Sequence, residues 1–295
     1  MSFPANTATG GFPIGLRLTG PFTKLSIKDT AEWARSNGFG CVDLPAAQVN
    51  DVSAWQSAGM PVGTVDLFGN EWSGMLSADP GKRRATVAQA EQVIRTSAAA
   101  GVRILFVVML AEDVNLPRRE TFGHMVESYG ALRDSLKSTG LRVAIEGWPG
   151  CNAHCCTPES YRAFLKEMNC PNYGINFDPS HLLRMGIDPL RFIREFAPQV
   201  VHVHGKDTLI DAERLYNHGT EQAGFLDQPF PWGGWFWRYT IPGRGRAPWT
   251  PLLTALKDVG YKGYVAIELE DADFNGTVEG EKRGFLAARD FLKSV

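Results

Sequence analysis

The sequence predicts the α/β class, in the form of a closed (β/α)8 barrel, on three observations. Short β-type and longer helical patterns alternate along the whole chain, the alternation repeats eight times, and four strand-like segments of the C-terminal half end on a residue able to bind a metal. Alternation argues for a parallel sheet, and eight repeats suffice to close a barrel. Barrel enzymes carry their chemistry at the C-terminal ends of the strands.

The elements follow in order. GLRLTG (15–20) is the first strand, and an amphipathic stretch from Ser26 stops at Asn37-Gly38, a helix-ending pair. GCVDLP (40–45) is the second strand, followed by a helix near 48–58, and PVGTVDLF (61–68) is the third. Residues 78–100 form a long helix with Asp79 at the N-cap and Pro80 at the first helical position. VRILFVVM (102–109) is an apolar run suited to a strand buried on both faces. A helix over 118–138 ends at Thr139-Gly140, LRVAIE follows, and Thr157-Pro158-Glu159 opens the next helix by the same cap-then-proline logic. Then come NYGINFD, a helix over 188–197, QVVHVH, a helix after Pro248, the strand GYVAIE and a closing helix over 278–292.

A chain of 295 residues, 44% of them hydrophobic, can bury one large core, and no linker divides it, so a single domain over 1–295 is expected. A formal charge of −2 gives no reason to expect nucleic acid or an anionic membrane as partner. No apolar run approaches the roughly 20 residues that span a bilayer. The start, MSFPANTATGG, lacks the basic and apolar regions of a secretory signal, so a cytoplasmic protein is expected. Five cysteines are an odd number, which favours reduced thiols over a disulfide framework. Cys151, Cys155 and Cys156 lack a second ligand pair at finger-like spacing and are not read as a zinc site.

One connection is out of proportion. Residues 205–247 separate the seventh strand from the seventh helix, where a strand-to-helix loop takes about 2–6 residues. The segment is rich in Trp, and long loops of this kind act as lids or contact surfaces. Trp232, Trp235 and Trp237 would either stack on a sugar ring or bury themselves against a second subunit; the sequence leaves both open.

The strand ends carry the chemistry. Side chains alternate faces with period two, so Ala144 pairs with Glu146, Asn176 with Asp178, His202 with His204, and Ala266 with Glu268. In one barrel these three carboxylates and one imidazole converge as a metal site. Such donors suit a hard to borderline divalent ion, with Mn2+ foremost and Mg2+, Co2+ or Zn2+ as alternatives. The ion would polarise a carbonyl and stabilise the enediolate formed when the neighbouring C–H is deprotonated. Glu146 and Glu268, on different strands, could then exchange protons with opposite faces of a sugar, help worth roughly 10²–10⁴ in rate.

Other residues keep two readings each. His202, one layer deeper than His204, reads as a hydrogen-bonded core histidine before a ligand. His181 either caps the turn after Asp178-Pro179 or meets substrate. Lys206 and Asp207 either orient the site or pair with each other, and Glu270 and Asp271 are solvated or support the last strand. His154 reads as a surface histidine, with reach into the pocket as the alternative. Arg244 and Arg246 could hold a phosphate, since guanidinium forks match that geometry.

Glu146, Asp178-Pro-Ser-His181, His204-Gly-Lys-Asp207, the I-P-G-R-G segment and Glu268, in this order and each at a strand end, resemble the xylose-isomerase-like TIM-barrel superfamily, also called sugar phosphate isomerases/epimerases. D-tagatose 3-epimerase-like enzymes and inosose dehydratases belong to it. The resemblance implies that Glu146, Asp178, His204 and Glu268 bind one divalent ion and that His181 contacts substrate. By loose alignment it brings Arg238 near a substrate-binding arginine. The implied activity is a metal-dependent sugar isomerase or epimerase. A lyase or dehydratase expelling a β-substituent from a 3-keto-glycoside or cyclic keto-polyol is the alternative. The expected partner is a small sugar or keto-sugar, with no nucleic acid and no membrane; pairing with a second copy or a related subunit stays open.

Overall fold

A computed structural model describes residues 5–69 and 72–295. Among them eleven strands occur: β1 (Ile14–Arg17), β2 (Val42–Leu44), β3 (Val62–Asp66), β4 (Ile104–Leu110), β5 (Arg142–Glu146), β6 (Ala153–His154), β7 (Tyr173–Phe177), β8 (Val200–Gly205), β9 (Asp207–Ile210), β10 (Trp237–Thr240) and β11 (Val265–Ile267). Eight follow the order β3-β2-β1-β11-β8-β7-β5-β4, and β4 pairs back onto β3. The sheet closes on itself with helices between its strands, as a TIM barrel does. Register is parallel: Ala266 sits beside His204, and Glu146 beside Asn176. All residues of β7 and β8 are buried, as expected of strands with side chains inside the barrel on one face and helices on the other.

Proximity along the fold groups the chain into two compact units. The first takes in residues up to Val42, Asp178–Ala197 and Val203–Val295; the second is Asp43–Phe177 with Pro198–His202. Within the first, Phe22, Trp33, Phe39 and Phe285 form one aromatic cluster, with the Phe22–Phe285 ring centroids 5.3 Å apart. Within the second, Tyr129, Phe164 and Tyr173 pack edge to face, the Phe164–Tyr173 centroids 5.4 Å apart. Edge-to-face pairs add to plain burial.

Helix starts follow the cap chemistry. Ser26, Asp79 and Asp188 each accept a backbone N–H of the following turn, and Thr157 forms a capping box with Ser160. The stretch over 118–138 is not one helix but two, Arg118–Ala131 and Arg133–Thr139. At Leu132 the backbone N–H bonds back three residues, to the Tyr129 carbonyl at 3.2 Å. That tighter turn breaks the α ladder while keeping Leu132 buried.

The connection over 205–247 has structure of its own. β9 and β10 pair antiparallel, Thr240 opposite Asp207 and Trp237 opposite Ile210, and a helix (Ala212–His218) lies between them. The strands are four residues each and far apart in sequence, so no short turn announces the pairing. No helix among the described residues is long and apolar enough to cross a membrane.

Candidate metal centre

In the first unit, Asp178 leaves β7 and caps the short helix Pro179–Arg184, its Oδ1 accepting the Ser180 N–H at 2.8 Å. His181 lies in that helix, His204 in β8, Lys206 directly after it, and Glu268 directly after β11. The Lys206 ammonium is the hub. It donates to Glu268 Oε2 at 2.5 Å and Glu270 Oε2 at 3.0 Å, and lies 3.2 Å from Asp178 Oδ2. It also meets His181 Nε2 at 3.4 Å and sits 4.6 Å from the Tyr239 ring centroid. On the far side of its ring, His181 Nδ1 is 2.7 Å from the Tyr239 hydroxyl. His181 Nε2 also lies 3.4 Å from Asp178 Oδ2. Glu268 is held twice more, by Arg17 Nε at 3.1 Å on Oε1 and by His204 Nδ1 at 3.3 Å on Oε2.

Glu146, in the second unit, ends β5, and its carboxylate accepts from Asn176 Nδ2. Glu146, Asp178, His204 and Glu268 each offer one ligand atom, all within 4.8 Å of one another, and all four residues are buried. Lys206 lies within ion-pair distance of the Asp178, Glu268 and Glu270 carboxylates, and Arg17 of Glu268. The three buried carboxylates of the set, this close together, repel one another, and a single divalent cation would offset that repulsion. Carboxylate oxygens with one imidazole are also the donor chemistry of such an ion. The residues present therefore fit one.

Electrostatics follow from the crowding. Burial opposes the charge on Lys206, yet Asp178, Glu268 and Glu270 outweigh it and hold the ammonium protonated well above its ordinary range. Burial likewise opposes the charge on Glu268, but Lys206, His204 and Arg17 keep its carboxyl well below the usual carboxylate range. Tyr239 is pushed up by burial, against the pull of Lys206 and Arg184.

Several expectations meet a different environment. His154, read as a surface residue, is buried on β6 with Nε2 2.8 Å from Thr121 Oγ1; burial and Arg118 push its pKa down to about 4. The apolar packing of Ala153 and Met109 around a two-residue strand explains the burial. Arg238 forks onto the exposed carboxylate of Asp273, at 2.9 and 3.3 Å. Asp207 does not pair with Lys206 but accepts from Ala247 N at 2.9 Å, Trp249 Nε1 at 3.2 Å and Gly243 N at 3.3 Å. Asp271 is buried rather than solvated, accepting from Thr240 Oγ1 at 2.7 Å and Ile241 N at 3.2 Å. Trp237 is half-buried with the Arg184 guanidinium 4.5 Å from its ring centroid. Arg244 lies 3.5 Å from Asp273.

In the second unit His202 Nε2 is 2.7 Å from Asp43 Oδ2, whose other oxygen accepts the Thr64 N–H at 2.9 Å, a buried core pair. Asp43, His202 and His204 form a second group of potential ligands. Sequence reasoning missed Arg17 and Tyr239. Arg17 ends a strand and was open to the parity argument; Tyr239 had no spacing signal.

Comparison with known proteins supports the fold and names the family. A 142-residue stretch is 28% identical to inosose dehydratase of Lacticaseibacillus casei, covering 47% of this chain and 44% of that protein. Such matches span between 29% and 44% of the curated relatives' length. Among solved structures, D-psicose 3-epimerase from Clostridium cellulolyticum H10 superposes with TM-score 0.68 at 16% identity, covering 95% of this chain and 98% of that one. The 3-keto-D-glucoside 4-epimerase of E. coli gives 0.66 at 18% identity, covering 95% and 97%. At these identities the likeness is one of fold. A sequence profile of the xylose isomerase-like TIM barrel matches residues 31–295, which takes in the ends of β5, β7, β8 and β11 and so every donor described above. The chain belongs to the xylose isomerase-like TIM-barrel family.

Proposed function

We propose that this protein is a divalent-metal-dependent sugar epimerase or isomerase, removing and returning a proton on carbon next to a carbonyl. The observation that carries the reading is the buried set Glu146, Asp178, His204 and Glu268, with one potential ligand atom from each within 4.8 Å of the others. When bound, an ion of the Mn2+ type polarises the carbonyl and makes the neighbouring C–H acidic. The protein's own groups do the rest. Glu268 is fixed by Arg17 and Lys206 and stays a carboxylate at neutral pH. Glu146 is fixed by Asn176. These two carboxylates take and return the proton. Lys206, whose pKa is raised, serves as a fixed cation rather than a base. His181, oriented by Tyr239, holds a substrate hydroxyl.

The test is proton exchange. Chelated protein reloaded with Mn2+ is incubated in deuterated water with free ketoses and 3-keto-glucosides, and deuterium at carbon is read by NMR. Incorporation that is abolished by chelation and reduced roughly 10²–10⁴-fold in Glu268→Gln is expected. No incorporation into any of these compounds would overturn the proposal.

A second reading is favoured by the match to inosose dehydratase. The same proton abstraction on a cyclic keto-polyol, followed by loss of a β-hydroxyl, makes a dehydratase. His181 would then hydrogen-bond the departing oxygen, which leaves as water together with a proton. Loss of water from an inosose, seen by mass spectrometry, selects this reading; deuterium entry without loss selects the first.

A further inference from the structure

The connection over 205–247, in the first unit, is an arm that turns apolar side chains to solvent. Of the seven large hydrophobic side chains exposed among the described residues, Tyr216, Phe225, Leu226 and Trp232 all lie in it. Phe225 and Leu226, side by side at its tip, are 103% and 96% exposed. At roughly 150–250 Å² for a whole aromatic side chain, the four together offer on the order of 600 Å². Each partner of a stable protein interface contributes about 800 Å². An apolar area of this size gathered on one arm is the mark of a contact surface.

The tip is braced rather than loose. His218 Nε2 is 2.9 Å from Asp227 Oδ2, and a Cβ added at Gly224 would stand 2.7 Å from His218 Cε1, so glycine lets the chain close on the imidazole. Arg214 donates to the Gln228 carbonyl at 2.9 Å, and its guanidinium carbon lies 4.0 Å from the Phe230 ring centroid. Both ends of 224–228 are thus tied to the helix Ala212–His218. A pre-ordered tip loses little freedom when it binds.

The same arm borders a cavity of about 520 Å³, whose apolar wall is Leu183, Ile210, Leu215, Phe236 and Trp237. A volume of that order takes a drug-sized group, and two apolar side chains fit it. The arm's own tip does not enter: Leu215 and Thr220 form part of the wall while Phe225 and Leu226 stay exposed. Tip and cavity therefore belong to one patch, as a contact between identical copies requires. Charge agrees with the pairing. Arg246 and Glu221 stand exposed at the cavity, and Asp227, next to the tip, keeps 44% of its side chain exposed, so Arg246 can receive it across the contact.

We propose that the chain self-associates through this arm, the Phe225–Leu226 tip of one copy seated in the cavity of a second copy and the reverse contact made alongside. The proposal is independent of the metal chemistry above.

Sedimentation velocity on the full chain tests it. The wild type is expected to be a dimer at micromolar concentration. Phe225→Ser combined with Leu226→Ser removes both tip side chains at positions whose exposure leaves folding untouched. It should raise the dimer's dissociation constant by about a hundredfold or more. Thr220→Trp, exposed at the cavity wall, should obstruct the cavity and weaken the dimer likewise. Mixed together, the two variants retain one intact tip and one open cavity between them, and should associate more tightly than either does alone. A wild type that stays monomeric leaves the tip to its own chain or to a foreign partner and overturns the proposal. So does a dimer unchanged by the double tip variant, or a mixture that associates no better than its parts.

Discussion

Tyr239 touches two residues of the candidate site, His181 and Lys206, without offering a ligand atom itself. Its hydroxyl holds His181 Nδ1 at 2.7 Å, and its ring carries the Lys206 ammonium at 4.6 Å. Removing the hydroxyl frees the imidazole to rotate and leaves Nδ1 without its partner. Outer-shell groups that orient an active imidazole typically matter by 10–100-fold. Tyr239→Phe is therefore expected to lower turnover in the deuterium-exchange assay by roughly 10–100-fold. Its melting temperature should stay near that of the wild type, because the ring stays in place. Asp207 acts at the same scale but on structure. Replacing it with alanine leaves the Gly243 and Ala247 amides and the Trp249 indole N–H without their shared acceptor. A loss of about 3 kcal/mol in urea denaturation is expected, since each buried donor left unmatched costs about 1–3 kcal/mol. A loss within error would show that water replaces the carboxylate.

Among the elements, the barrel strands were legible because their patterns are local. Val143, Ile145 and Glu146 announce both a strand and its functional end within four residues. The cap-then-proline starts at Asp79, Thr157 and Asp188 were equally plain, since a cap's chemistry is settled within one turn. β6, β9 and β10 escaped because short strands draw their stability from distant partners: Met109 for His154, Ile210 for Trp237. β6 yields a pH prediction. Burial and Arg118 depress the His154 pKa from 6.5 to about 4, so the folded protein resists protonating it while the unfolded chain does not. Between pH 6.5 and 4 the unfolded state binds the extra proton, and stability falls as pH falls; above 6.5 this residue adds no pH dependence. The loss is on the order of 3 kcal/mol at most. Urea midpoints at pH 7 and pH 4.5 should differ less in His154→Gln than in the wild type, and an equal difference would assign the effect to other groups.

Across the whole molecule, the four donors were legible because a closed parallel sheet brings equivalent strand ends together, so parity and strand count alone nominate residues far apart in sequence. Their neutralisation was not legible: Arg17 and Lys206 act through distances that only the fold creates. This arrangement carries an opposite-sign prediction. In chelated protein the buried carboxylates of Glu146, Asp178 and Glu268 lie close together, and their repulsion works against the fold until an ion enters. At about a hundredfold excess over its dissociation constant, Mn2+ should add about 2.7 kcal/mol, a rise in melting temperature of roughly 5 °C. Asp178→Asn removes one carboxylate yet keeps a side chain able to cap the helix Pro179–Arg184. The variant should therefore melt higher than the chelated wild type and gain little from Mn2+. A variant that melts lower when chelated would show that the Lys206 ion pair outweighs the repulsion. One that still gains the full shift would mean that Asp178 is no part of the metal's shell.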